Sequence, residues 1–281
     1  MELNAWIIAA IMVVSFLCEY MDSSLGMGFG TTLTPVLMLV GFSPMEIVPA
    51  VLVSELFSGL AAAVFHHRQG NVNLQPRNKA ILHLAGLKHP GLYLQQARKS
   101  LPMDLKIAIL FILCSTIGAA AAVYVALHIS KFWLKMYIGI VVLAMGLVIL
   151  VFLNRRFKFS VWKISTIGVL AAFNKAISGG GYGPLVTAGQ ILSGVQGKNA
   201  VGITSLAEGV TCLIGVVGYL LAGANLVSFR LAPYVVFGAI LSVPLAARSV
   251  KLIPEKILKL CIAGLSIILG SLTLIKTLQA G

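Results

Sequence analysis

Charge is scarce in this chain. Only 10% of its 281 residues are Asp, Glu, Lys or Arg, whereas a soluble globular domain carries roughly 25%. Such a sequence cannot clothe itself in a water-facing surface. Strand-like alternation of apolar and polar residues is absent too, which excludes a β-barrel from the expected folds. The four cysteines, Cys18, Cys114, Cys212 and Cys261, stand singly in apolar stretches. They lack metal-ligand or redox spacing and read as small hydrophobes. The apolar stretches hold no His and no Ser–His or metal-ligand constellation, so an enzyme is not expected. Neither is a metal or a cofactor.

What is present is apolar sequence. Hydrophobic residues make up 59% of the chain, and its mean hydropathy is +0.99. Apolar runs cover 5–21, 107–127, 136–153 and 257–274, each near the roughly 20 residues that cross a bilayer as a helix. The expected fold is therefore all-α, a polytopic integral membrane protein. The first run lacks a basic flank and an Ala-x-Ala site, so it does not read as a cleaved signal peptide. The formal net charge of +13 points to basic cytoplasmic loops rather than to nucleic acid.

The chain also repeats itself. The segment GMGFGTTLTPVLMLVGFSP (26–44) lies over GGGYGPLVTAGQILSGVQG (179–197) at a single shift of 153 residues (208 minus 55). That shift places Gly26 on Gly179, Gly28 on Gly181, Gly30 on Gly183, Thr34 on Thr187 and Glu55 on Glu208. Further along, Lys135 falls on Lys259 and Gly146 on Gly270, a shift of 124 (259 minus 135). The difference of 29 (153 minus 124) marks an insertion in the first half, at about 68–102. Ile81, Leu82, Leu84, Ala85 and Leu87 within it fit either a helix at the membrane surface or a solvated basic loop. The repeats expected are 1–153 and 154–281.

Loop charge gives orientation. Arg68, Arg77, Lys79, Lys88, Arg98 and Lys99 mark one cytoplasmic loop. Arg155, Arg156, Lys158 and Lys163 mark a second, and Arg248, Lys251 and Lys256 a third. The connections 127–131 and 223–230 are poor in charge and belong outside. This pattern calls for helices over 44–66, 103–127, 131–153, 198–221, 231–247 and 255–278. It puts the N-terminus in the periplasm and makes the halves inverted-topology repeats, each a broken or re-entrant short helix pair plus about three long helices. In the first pair, 6–20 and 31–40 give about 22 Å and 15 Å of helix, short of a hydrocarbon core of about 30 Å.

Glycine clusters at matching places in two apolar halves point to a transporter's binding site. Irregular backbone at membrane depth survives only where protein or a wet cavity surrounds it. Both clusters run into a helix start, with Thr31 and Thr32 in one and Gly183-Pro184 in the other. Helix N-termini present free N–H groups and partial positive charge, suited to an anion. The expected substrate contacts are Gly28, Gly30, Thr31, Thr32, Asn174, Lys175, Ser178, Gly180, Gly181 and Gly183. The competing reading is that the glycines only let helices pack closely.

Ionisable groups inside a membrane are expensive and point to function. Asp22 overlays Lys175 under the 153 shift; Lys175 is either counter-charge to an anion or a structural partner of Asp22. Glu55 and Glu208 either carry a proton during transport or hydrogen-bond between helices as neutral groups. Asp22, Glu55 and Glu208 are the coupling or gating candidates. Ser43-Pro44-Met45-Glu46 has capping-box spacing, so Glu46 reads as a cap. His66 and His67 stand at a helix end and face different ways, so they do not suggest a metal site.

These residues carry a resemblance. GMGFG followed by Pro35, GFSP, a long apolar helix and Gly70-Asn71-Val72 resembles the first half-signature of the sulfite exporter TauE/SafE family. SGGGYGPLV, LSG and Leu220-Leu221-Ala222-Gly223 are similar to its second. The likeness spans the chain. It implies a bacterial inner-membrane permease with two homologous halves that moves sulfite, sulfoacetate, another organosulfonate or a related small anion, usually outward. The chain departs from the family at GMGFG, where an uninterrupted glycine triplet is common, and at Asp22, Glu55, Lys175 and Glu208, where many members are apolar. The function expected is secondary transport by alternating access around a midplane site between the clusters. A passive anion channel and a permease for a non-sulfur organic anion are the alternatives. The partners expected are a small anion and the lipid bilayer, with a homodimer compatible and no nucleic acid.

Overall fold

The structure, a computed structural model, describes residues 3–75, 101–152, 161–192, 195–221, 228–249 and 255–279. The surface segment 81–87 and the basic residues 77–99, 155–158 and 251 lie outside the described residues. Those described contain ten helices and no strand. In chain order they are α1 (Ala5–Leu25), α2 (Phe29–Val40), α3 (Pro44–Arg68), α4 (Met103–His128) and α5 (Lys131–Phe152). The second half follows with α6 (Val161–Ser178), α7 (Tyr182–Leu192), α8 (Gly197–Leu221), α9 (Ala232–Ser249) and α10 (Glu255–Gln279). Seven of them are long and apolar enough to cross a bilayer.

Local chemistry sets the boundaries. Asn4 caps α1 by accepting from the Ile7 N–H at 2.9 Å, and α1 stops at Gly26, where φ is 70°. Glu46 accepts from the Ser43 N–H at 3.0 Å and from its hydroxyl, as the capping-box spacing anticipates. The first break differs from expectation in one respect. α1 does not end at Tyr20 but holds 21 residues, about 31 Å, enough to span. Asp22, Ser23 and Ser24 look like a helix end in sequence, yet all three are buried and helical. Ser23 donates to Glu19 one turn back, at 2.6 Å. Only α2 and α7, with 12 and 11 residues, are half-length.

The packing is inside-out relative to a water-soluble protein. Leu113, Ile117, Leu221, Phe237 and Ile268 are exposed, whereas Glu19, Asp22, Glu55, Lys175 and Glu208 are buried. α3 and α8 pack on each other at the centre, with α9 against α3 and α4 against α8. α1 packs on α9 and α6 on α4; α5 packs on α10, with α2 on α10 and α7 on α5. Each half therefore leans on the other, and each of these pairings has a counterpart five helices along. Single contacts recur in the same way. A β-carbon on Gly146 would meet Ile267, and one on Gly270 would meet Leu143. These four residues exchange under the shift of 124.

Cys18 and Cys212 are buried and Cys114 is half-buried, all as free thiols. The side chain of Cys261 is outside the described residues.

Candidate functional site

The two glycine breaks touch, backbone to backbone. A β-carbon on Gly30 would overlap the Gly179 carbonyl oxygen and lie 2.9 Å from the Gly180 Cα. One on Gly183 would overlap the Gly26 carbonyl oxygen and lie 2.6 Å from the Met27 Cα. These contacts exchange under the 153 shift. Thr187 donates to the Gly26 carbonyl at 2.7 Å, while Thr34, its counterpart, faces Gly179. Gly26 and Gly179 both have φ near 70°, and their N–H groups donate to Asp22 and Lys175 carbonyls. A side chain resists that backbone conformation. Close packing and helix termination thus both hold for these glycines.

The expected contact residues fall on both sides of this junction. Thr31 donates to the Gly28 carbonyl at 3.2 Å, and the buried Thr32 hydroxyl has no partner. Ser178 donates to the Asn174 carbonyl at 2.6 Å and accepts from the Gly180 N–H at 3.2 Å. Asn174 accepts from the Tyr137 hydroxyl and lies beside Gly181.

Beside the junction the ionisable residues converge. Lys175, at the end of α6, forms ion pairs with Glu55 on α3 and with Glu208 on α8, the latter at 2.7 Å. Carboxylate oxygens of Asp22, Glu55 and Glu208 lie within 4.8 Å of one another. Asp22 does not take up the lysine as a salt-bridge partner; it accepts from the Phe29 N–H at 3.2 Å and caps α2. One free N–H at that helix start is therefore already taken by the protein's own carboxylate. Three carboxyls face one ammonium. Such a cluster is stable in an apolar interior only where pairing or protonation offsets the loss of water.

Glu19 joins the cluster from the side that sequence reasoning missed. It is 1% exposed, accepts from Ser23 at 2.6 Å and accepts from Ser58 on α3 at 2.9 Å. Its signal was available: a carboxylate three residues before Asp22, inside an apolar run. The expectation that the apolar segments lack histidine is corrected by His66. It is fully buried in α3 and bonds the Ser23 carbonyl at 2.7 Å and Asn71 at 3.0 Å. Its position at the end of a 25-residue helix disguised this, because α1 packs over that end.

A helical bundle with apolar residues outward and an ionisable cluster within defines a multi-pass membrane protein with a polar centre, the architecture of a transporter. The chain belongs to the sulfite exporter TauE/SafE family, whose pattern it matches over residues 11–87 and 90–273. It is also 24% identical over 274 residues to the "Probable membrane transporter protein YtnM" of Bacillus subtilis (strain 168), covering 93% of this chain and 81% of that protein. No solved structure matches significantly. The family is one of membrane transporters, not an enzyme class.

Proposed function

We propose that this protein is a proton-coupled secondary transporter of the bacterial inner membrane. It moves a small sulfur-containing anion, such as sulfite, sulfoacetate or another organosulfonate, outward by alternating access. The observation that carries this reading is Lys175 held between Glu55 and Glu208, two positions that exchange under the 153 shift.

While both glutamates are ionised, an incoming anion meets carboxylates and an ammonium already in use. Protonating one of the two glutamates lessens that repulsion and frees Lys175 from one of its partners. The anion then takes the lysine, with N–H groups at Gly28, Gly30, Gly180, Gly181 and Gly183 and hydroxyls of Thr31, Thr32 and Ser178 as further donors once the breaks part. Asn174 holds Ser178 in place, and Asp22 sets the local charge. Proton and anion therefore travel together. A doubly charged anion with one proton carries one net negative charge outward. An inside-negative potential favours this by about 2.3 kcal/mol per 100 mV. Each opposing pH unit subtracts about 1.4 kcal/mol, so the potential can drive export.

The reciprocal contacts support reading 1–153 and 154–281 as inverted repeats. With basic loops cytoplasmic and the N-terminus periplasmic, the breaks then meet from opposite sides and can open alternately.

Sulfite or sulfoacetate flux into proteoliposomes tests the proposal. Wild type should carry the anion, faster when the donor side is acidified at fixed potential. The E55Q/E208Q double variant should lose that pH response. A response that survives in the variant would remove the coupling role. Flux no greater than in protein-free vesicles for either anion would remove the substrate class.

A further inference from the structure

At one end of the bundle, α2, α5 and α10 surround a cavity of about 260 Å³ lined by Met38, Leu39, Lys131, Lys135, Lys276 and Thr273, among others. We infer that this cavity is a second anion site, for a tetrahedral oxyanion of the phosphate or sulfonate type. It is separate from the cluster at Lys175 and does not depend on the transport reading.

Three cations share the cavity. Among the described residues none of them has a carboxylate within salt-bridge distance. Lys131 and Lys135 are one turn apart on α5, a like-charged pair that destabilises a helix unless something lies between. Lys131 is also the first residue of α5, where the helix dipole favours negative charge. Only Lys276 has an internal explanation, since it donates to the Leu39 carbonyl at 2.8 Å near the end of α2. That contact leaves two ammonium hydrogens free.

The second observation is Thr273. It is 2% exposed, lines the cavity, and its hydroxyl has no partner. A buried hydroxyl is normally bonded. Thr277, one turn on, lines the same cavity and donates to the Thr273 carbonyl at 2.7 Å. An unpartnered hydroxyl and three ammonium groups around one cavity match an oxyanion, which accepts from donors of both kinds. The oxyanion has two sources, a free ion or the phosphate of an anionic lipid.

The test uses purified full-length protein. Its thermal stability is measured in sulfate or inorganic phosphate against chloride at matched ionic strength. In a second arm, retained lipid is weighed by native mass spectrometry after nanodiscs of phosphatidylglycerol or phosphatidylcholine. We expect stabilisation by the oxyanions, or selective retention of phosphatidylglycerol, and the arm that responds names the source. K135Q/K276Q should weaken either effect by about tenfold or more, and T273V by less. K131Q, at an exposed position, controls for misfolding of the double variant and should weaken binding in the same direction. Oxyanions no better than chloride together with no lipid preference would overturn the site. So would effects equal in wild type and all three variants.

Discussion

At the end of α1 the residue four before the terminating glycine is Asp22; at the end of α6 it is Lys175. The backbone does the same thing in both places. The helix closes on a left-handed glycine, a second glycine presses on the opposite break, and a half-length helix leaves. The side chains do different things. Asp22 turns to the start of its own α2 and caps it, whereas Lys175 crosses to Glu55 and Glu208 on the two central helices. The shared part builds the junction, and the part that differs sets its charge. A single lysine satisfies two carboxylates; a second in place of Asp22 would bring two ammonium groups together.

The strongest way to break the comparison is at the backbone. Gly30→Val and Gly183→Val each force a side chain into the other break, so both should abolish recovery of monodisperse protein. Gly264→Ala has open space around the added carbon and should leave yield and flux unchanged. If one of the two valine variants is well tolerated, the breaks are not equivalent in packing.

Charge comes next. Lys175→Met leaves two buried carboxylates without a counter-ion and should cost about 3–5 kcal/mol, read as lowered thermal stability in detergent. Adding E55Q and E208Q to it should recover much of the loss. The exchange D22K/K175D sharpens the point. If the positions are equivalent about the junction, the double variant should be more stable than K175D alone.

Capping effects are smaller. Asp22→Ala removes the acceptor of the Phe29 N–H and should cost about 1 kcal/mol, with Asp22→Asn retaining most of it. Glu46→Ala removes a cap at the first turn of α3 and a pair with Arg230 at 3.4 Å. Its half-exposed setting limits the loss to at most about 1 kcal/mol. A larger effect at Glu46 than at Lys175 would invert the comparison.

Much of this was legible in sequence. Apolar length located α3, α4, α5, α8, α9 and α10 within a few residues, because each is long and ends in clear breakers or charge. The 153 shift marked Glu55 and Glu208 as a related pair. Their meeting at Lys175 was not legible, since no spacing along the chain relates residue 55 to 175; it follows from α3, α6 and α8 converging. The end of α1 misled because polarity at Asp22–Ser24 imitates a boundary. In an apolar interior Asp22 instead takes up the start of α2 and Ser23 bonds Glu19 within its own helix, so the helix continues. Glu19 was visible and overlooked for the same reason.

His66 carries one more consequence. A carbonyl oxygen can only accept, so the bond to Ser23 requires hydrogen on Nε2. The Asn71 amide nitrogen donates both to Nδ1, at 3.0 Å, and to the Ala247 carbonyl, at 3.2 Å. The ring is thereby fixed in one tautomer by groups from α1, the loop after α3, and α9. Nitrogen-15 resonances from this single side chain should report when those three elements separate, making His66 a native spectroscopic probe of the bundle's opening.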